Sequence, residues 1–96
     1  GITGQEEVVE TNSPDLKLYP NPARHILVAQ IDGQAGKPVM LYISDVLGRL
    51  VLQQPGETGT AVFLDVRNLQ PGLYLVVAKW SDGRSVSKKV FVQPQL

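Results

Sequence analysis

The chain has 96 residues, enough for one domain with a modest core. Its hydrophobic content of 43% is ordinary for a globular protein, and no window approaches the ~18 consecutive apolar residues of a membrane helix. Nine basic residues balance nine acidic ones, which argues against a nucleic-acid partner, and the absence of cysteine excludes disulfide staples and thiolate chemistry without choosing a compartment.

Residues 1–15 are polar and acidic, broken by Gly1, Gly4, Asn12, Ser13 and Pro14. They are expected to form a linker or extended lead-in, with the folded domain over residues 16–96. Glu6, Glu7, Glu10 and Asp15 make this end acidic, while Lys79, Arg84, Lys88 and Lys89 make the other end basic. Solvated termini are the simpler explanation; a basic docking strip near the C-terminus is the sharper one. No charged segment followed by an apolar one opens the chain, so an export signal would lie upstream in a longer parent.

From Leu16 onwards, seven β-rich runs alternate with turn signals: Leu16–Tyr19, His25–Ile31, Val39–Asp45, Arg49–Gln54, Thr60–Val66, Leu73–Trp80 and Ser85–Val92. The breaks include Pro20-Asn21-Pro22, Asp32-Gly33, Gly36-Lys37-Pro38, Leu47-Gly48, Pro55-Gly56, Pro71-Gly72 and Ser81-Asp82-Gly83-Arg84. Short strands at this spacing, fenced by Gly, Pro, Asn and Asp, predict an all-β sandwich or barrel. Within the runs, side chains alternate with period 2: Leu27, Ala29 and Ile31 share a face, as do Val39, Leu41 and Ile43, and Val62, Leu64 and Val66. Leu73 to Ala78 is apolar on both faces, which predicts a central strand or one covered on its outer side. Around Asp45–Leu52 the apolar spacing hints at a helix, but Gly48 interrupts it and a short turn is expected.

Little here resembles catalytic chemistry. His25 is the one histidine, too few with no cysteine for a zinc site, and no serine sits in a Gly-x-Ser-x-Gly elbow beside which it could act. It reads as a surface residue at the start of a strand. Asp45, Asp65 and Asp82 flank strands, where aspartate commonly bonds its own backbone, so they read as turn formers rather than an acid–base pair. The glycines form no phosphate-binding pattern, and loop aspartates and carbonyls could meet calcium but form no Asp-rich cluster. No catalytic, metal or cofactor residue is assigned. Among the aromatics, Tyr74 is expected in the core, while Tyr42 and Phe63 lie opposite the core faces and could form an outer patch of the kind that binds sugars.

Four segments go beyond generic β punctuation: Leu18-Tyr19-Pro20-Asn21-Pro22-Ala23; Ile43 to Val51, with Asp45, Gly48 and Arg49; Leu64 to Tyr74, with Leu69, Gly72 and Tyr74; and Lys88-Lys89-Val90-Phe91-Val92. In this order and spacing they resemble the type A C-terminal sorting domain of the type IX secretion system of Bacteroidetes-type bacteria, over Leu16 to Val92. The resemblance implies a seven-stranded, antiparallel, immunoglobulin-like β-sandwich without enzymatic activity. It implies an address on a larger cargo protein, exported through the periplasm to the cell surface or medium. The partners implied are the translocon, an outer-membrane shuttle protein and a sortase that removes the tag upstream of the sandwich, within Gly1–Asp15 or just before it, and often attaches the cargo to the surface.

In that family the last strand is associated with recognition, which carries over to Lys88, Lys89, Val90, Phe91 and Val92. An unpaired edge there could add to a partner's sheet, or join two copies. Two positions depart from the family pattern: the chain continues with Gln93-Pro94-Gln95-Leu96, and position 44, often aromatic, is Ser44. An immunoglobulin-like accessory module for carbohydrate binding or adhesion on a secreted enzyme is the alternative reading.

Overall fold

The computed structural model describes residues 15–95. The expected cleavage region, the acidic Glu6, Glu7 and Glu10, nearly all of the 1–15 lead-in, and Leu96 lie outside the described residues.

Seven strands form: β1 (Leu16–Tyr19), β2 (Ile26–Ile31), β3 (Pro38–Ser44), β4 (Leu50–Glu57), β5 (Ala61–Asp65), β6 (Gly72–Trp80) and β7 (Ser85–Val92). They make two antiparallel sheets, ordered β1-β2-β5 and β4-β3-β6-β7. The period-2 pattern is the cause of the stacking. Leu27, Ala29, Ile31, Val62, Leu64 and Val66 line the inner face of the smaller sheet; Val39, Leu41, Ile43, Tyr74, Val76, Ala78, Trp80, Val90 and Val92 line that of the larger. Burying both stripes against each other removes them from water together, which no single sheet could do. The doubly apolar run becomes β6, a central strand between β3 and β7. Its outer side chains Leu73 and Leu75 are exposed, not covered.

The Pro55-Gly56 pair does not form the turn expected of it. β4 continues through both, with Met40 opposite Pro55 and Val39 opposite Gly56. As the edge strand of its sheet, β4 can carry a proline whose nitrogen faces outwards. Gly56 is needed for a different reason: a Cβ there would meet Val62 Cγ2 at 2.7 Å, so its smallness lets the two sheets approach. The turn comes later, around the buried Thr58. Its hydroxyl accepts from the Lys37 amide at 3.0 Å and donates to the Gln34 carbonyl, tying the β2–β3 loop to the β4–β5 turn.

Tyr42 and Phe63 do not form one patch. Tyr42 is on β3 of the larger sheet and Phe63 on β5 of the smaller one, on opposite outer faces of the sandwich. Phe63 instead belongs to a cross-strand row, Tyr19–Val28–Phe63.

Candidate functional site

The edge of β7 is the first feature the sequence singles out, and the structure places an unexpected neighbour on it. Pro20-Asn21-Pro22-Ala23 crosses from the smaller sheet to the larger one. Asn21 Oδ1 accepts the Phe91 amide at 3.1 Å, and Asn21 Nδ2 reaches the Lys89 carbonyl at 3.4 Å. Ala23 then forms a parallel bridge with Val92: its amide donates to Phe91 O at 2.8 Å, and its carbonyl accepts from Gln93 at 2.7 Å. Prolines on both sides withdraw two amide donors and leave the Asn21 side chain to make the contacts. The edge expected to be unpaired is therefore occupied from Lys89 to Gln93. Alternation of the backbone leaves Ser85 and Ser87 as the outward-facing stretch without a partner among the described residues.

The five residues expected to carry recognition separate by burial. Val90 and Val92 belong to the core. Lys88 pairs with Asp15 at 3.5 Å beside β1. Only Lys89 and Phe91 project from the outer face of the larger sheet.

The remaining singled-out residues converge at one end of the sandwich. Register explains why: Ser44 of β3 lies opposite Leu75 of β6, and Leu75 opposite Lys89 of β7. The β3–β4 loop is thereby set beside the start of β6 and the β5–β6 loop that precedes it. Asp45 organises the first loop. Its Oδ1 accepts the amides of Leu47 at 2.9 Å and Arg49 at 3.0 Å, its Oδ2 pairs with Arg49 Nε at 2.8 Å, and its carbonyl accepts the Gly48 amide at 3.0 Å. Gly48, at φ +82°, makes the left-handed step that a side chain would resist. The Arg49 amide foremost, then the Arg49 guanidinium and the Leu47 amide, hold the Asp45 carboxyl below its ordinary range.

The second loop is pinned by Tyr74. Its ring is buried and its hydroxyl donates to the Gln70 carbonyl, four residues upstream, at 2.5 Å; Leu69 packs against the core and Gly72 enters β6 at φ +148°. A hollow of about 680 Å³ lies between the loops, and a second, of about 450 Å³, between the first loop and the outer side of β6 and β7. Val46 and Leu47, at the tip of the first loop, are 73% and 74% exposed. The sequence marks these loops as turns; the two apolar residues inside the Asp45-Val46-Leu47-Gly48 turn are the signal in it of an exposed apolar tip.

Asp65 and Asp82 bond the amide two residues on and pair with the same residue's side chain, Arg67 and Arg84. They form turns, as expected. His25 is exposed just before β2. Among the described residues, no three His, Asp or Glu side chains come together as a metal-binding group.

Two sheets in this order, closed at one corner by a tyrosine whose hydroxyl returns to the backbone upstream, define an immunoglobulin-like β-sandwich. The same fold is seen in a solved structure, "The crystal structure of CopC from Methylosinus trichosporium OB3b", at 22% identity and a TM-score of 0.51, covering 85% of this chain and 97% of that one. No curated protein is significantly similar in sequence. Residues 17–93 match the family described as the secretion system C-terminal sorting domain. The chain belongs to this family: it is a C-terminal sorting domain of the type IX secretion system.

Proposed function

We propose that this domain is the address by which a larger cargo protein is taken across the outer membrane, read by the translocon and an outer-membrane shuttle and then removed by a sortase. Family membership carries the reading: a sorting-signal family is not a catalytic one, and its members travel as the tail of a cargo. The sandwich supports it physically. Its cohesion lies in a continuous apolar core and in the Asn21 clamp on β7, so the last strand is held in a folded domain, ready to be recognised by shape.

With Val90 and Val92 buried, recognition of the last strand passes through its outward side chains, Lys89 and Phe91, with Lys88 at the corner. Pro20, Asn21 and Pro22 act in this scheme by holding that strand, with Tyr19 anchoring their start on β2; Asp45, Gly48, Arg49, Leu69, Gly72 and Tyr74 act by shaping the loop end beside it. In this reading the sortase cuts upstream of Leu16, ahead of β1, so that the tag is removed without breaking a strand of the sandwich. Export of a reporter carrying Gly1–Leu96, followed by mass determination of the released reporter's C-terminus, tests this part. A cut at or before residue 15 is expected; a reporter exported with the sandwich still attached would remove the sortase step from the account.

A further inference from the structure

Resting on the sorting reading, we infer that the loop end holds the docking site itself: the hollow bounded by Val46, Leu73, Leu75 and Lys89 receives an apolar side chain that a partner protein of the export machinery carries next to a carboxylate. Three observations lead there.

The first is rigidity combined with exposure. Val46 and Leu47 stand about three-quarters exposed on a loop tied down at Leu47, Gly48 and Arg49 by one aspartate. Apolar side chains held out by that many hydrogen bonds cannot fold back onto the core. They are preorganised for a partner, which lowers the entropy lost on docking.

The second is the shape and lining of the smaller hollow, about 450 Å³. Val46, Leu73 and Leu75 line it, an open apolar depression with room for an aliphatic or aromatic anchor.

The third is charge. Asp45 is the one carboxylate on this hollow and is consumed by its own loop and Arg49. Lys89 stands at the rim with no carboxylate partner among the described residues. The site therefore offers apolar side chains beside one positive charge that lacks a carboxylate partner among the described residues, which fits an apolar residue adjoining an acidic one. The described residues of a second copy supply that pair poorly. Each of Asp15, Asp32, Asp45, Asp65 and Asp82 already has a cationic partner, and Glu57, the remaining described carboxylate, lies between Gly56 and Thr58 with no apolar neighbour in sequence. Glu7-Val8-Val9-Glu10, outside the described residues, carries the pair in sequence, which makes self-association a named outcome of the test.

The test uses the reporter fused ahead of Gly1–Leu96 in a type IX-competent bacterium, with Val46→Asp and Lys89→Glu as the variants. Phe63→Asp, at an exposed apolar residue of the opposite sheet, is the control. Thermal melts of the purified chains establish that each variant folds. The expected result is export reduced about tenfold or more by Val46→Asp and by Lys89→Glu, the loss of one interface hot spot, with Phe63→Asp exported like the parent. Normal export of folded Val46→Asp and Lys89→Glu would overturn the docking site, and with it the part given to Lys89 in recognising the last strand, while leaving the sorting reading itself intact. Failure of the unaltered fusion to export would defeat the sorting reading and this inference with it. Sedimentation and flotation close the other routes: self-association, or binding to vesicles of phosphatidylethanolamine and phosphatidylglycerol, that Val46→Asp abolishes would assign the hollow to a second copy or to lipid and overturn the proposal.

Discussion

Asn21 and Phe91 are joined across 70 residues of sequence, the Phe91 amide donating to Asn21 Oδ1 at 3.1 Å. The bond closes the corner between the two sheets and occupies the edge of the final strand. Asn21→Ala removes both side-chain contacts to β7 and should cost about 1–2 kcal/mol. Amide exchange at Phe91 should quicken while that at Val76, in the central strand, is unchanged. Equal exchange at both positions in the variant and the parent would show that the clamp carries no weight.

Gly72 enters β6 at φ +148°, with open space where a Cβ would sit. Gly72→Val is therefore opposed by backbone conformation rather than by crowding, and a loss of about 1–3 kcal/mol is expected in denaturant unfolding. Gly72→Ala should lose nearly as much, because both force an L-residue into the same region. A large difference between the two would point to crowding instead.

At Gly56 the expected cause is reversed. A Cβ would stand 2.7 Å from Val62 Cγ2, so Gly56→Ala should destabilise by overpacking, by about 1–3 kcal/mol. Adding Val62→Ala makes room, and the double variant should lose less than the sum of the two single losses. Strict additivity would contradict the contact.

Acid should weaken the turns in a defined window. The Arg67 guanidinium, bonded side chain to side chain, is the main cause that lowers Asp65 to about 2; the amides of Arg49 and Arg84 lead in lowering Asp45 and Asp82. Each folded carboxyl thus lies below the ordinary 3.8, and the folded chain binds fewer protons than the unfolded one in that range. The stabilisation is complete above the ordinary value and is lost as pH falls through the folded one. Melting temperature should be flat down to about pH 5 and then fall, less steeply in Asp65→Asn. Because these pairs are exposed, salt should shrink the effect.

Tyr74→Phe keeps the buried ring and deletes only the hydroxyl bonded to Gln70. A loss of about 1–2 kcal/mol is expected, with faster exchange confined to the β5–β6 loop. Unchanged stability would mean that the hydroxyl does not hold that loop.

How far the sequence reached follows from the range of the interactions involved. Alternation within a run is local, and it located the inner faces: Leu27, Ala29 and Ile31 are fully buried, as are Leu41, Ile43 and Leu64. Turn chemistry is local too, and Asp45, Asp65 and Asp82 each bond a backbone amide two residues on. Pro55-Gly56 misled because the pair's meaning depends on β4 being an edge strand and on Val62 lying across from Gly56, neither of which is local. Thr58 escaped notice for the same reason, since its partners Gln34 and Lys37 lie more than twenty residues away. The Asn21 clamp and the meeting of Val46 with Leu75 and Lys89 depend on register between distant strands. Residue types alone could mark those segments as unusual without bringing them together.

The most direct measurement of the central claim is surface fluorescence from a periplasmically targeted reporter joined to Gly1–Leu96, compared between a type IX-competent strain and one lacking the translocon. Reporter reaching the surface or medium only in the competent strain is the predicted result. Intact, folded fusion retained in the periplasm of both strains would contradict the claim that this domain is a sufficient address.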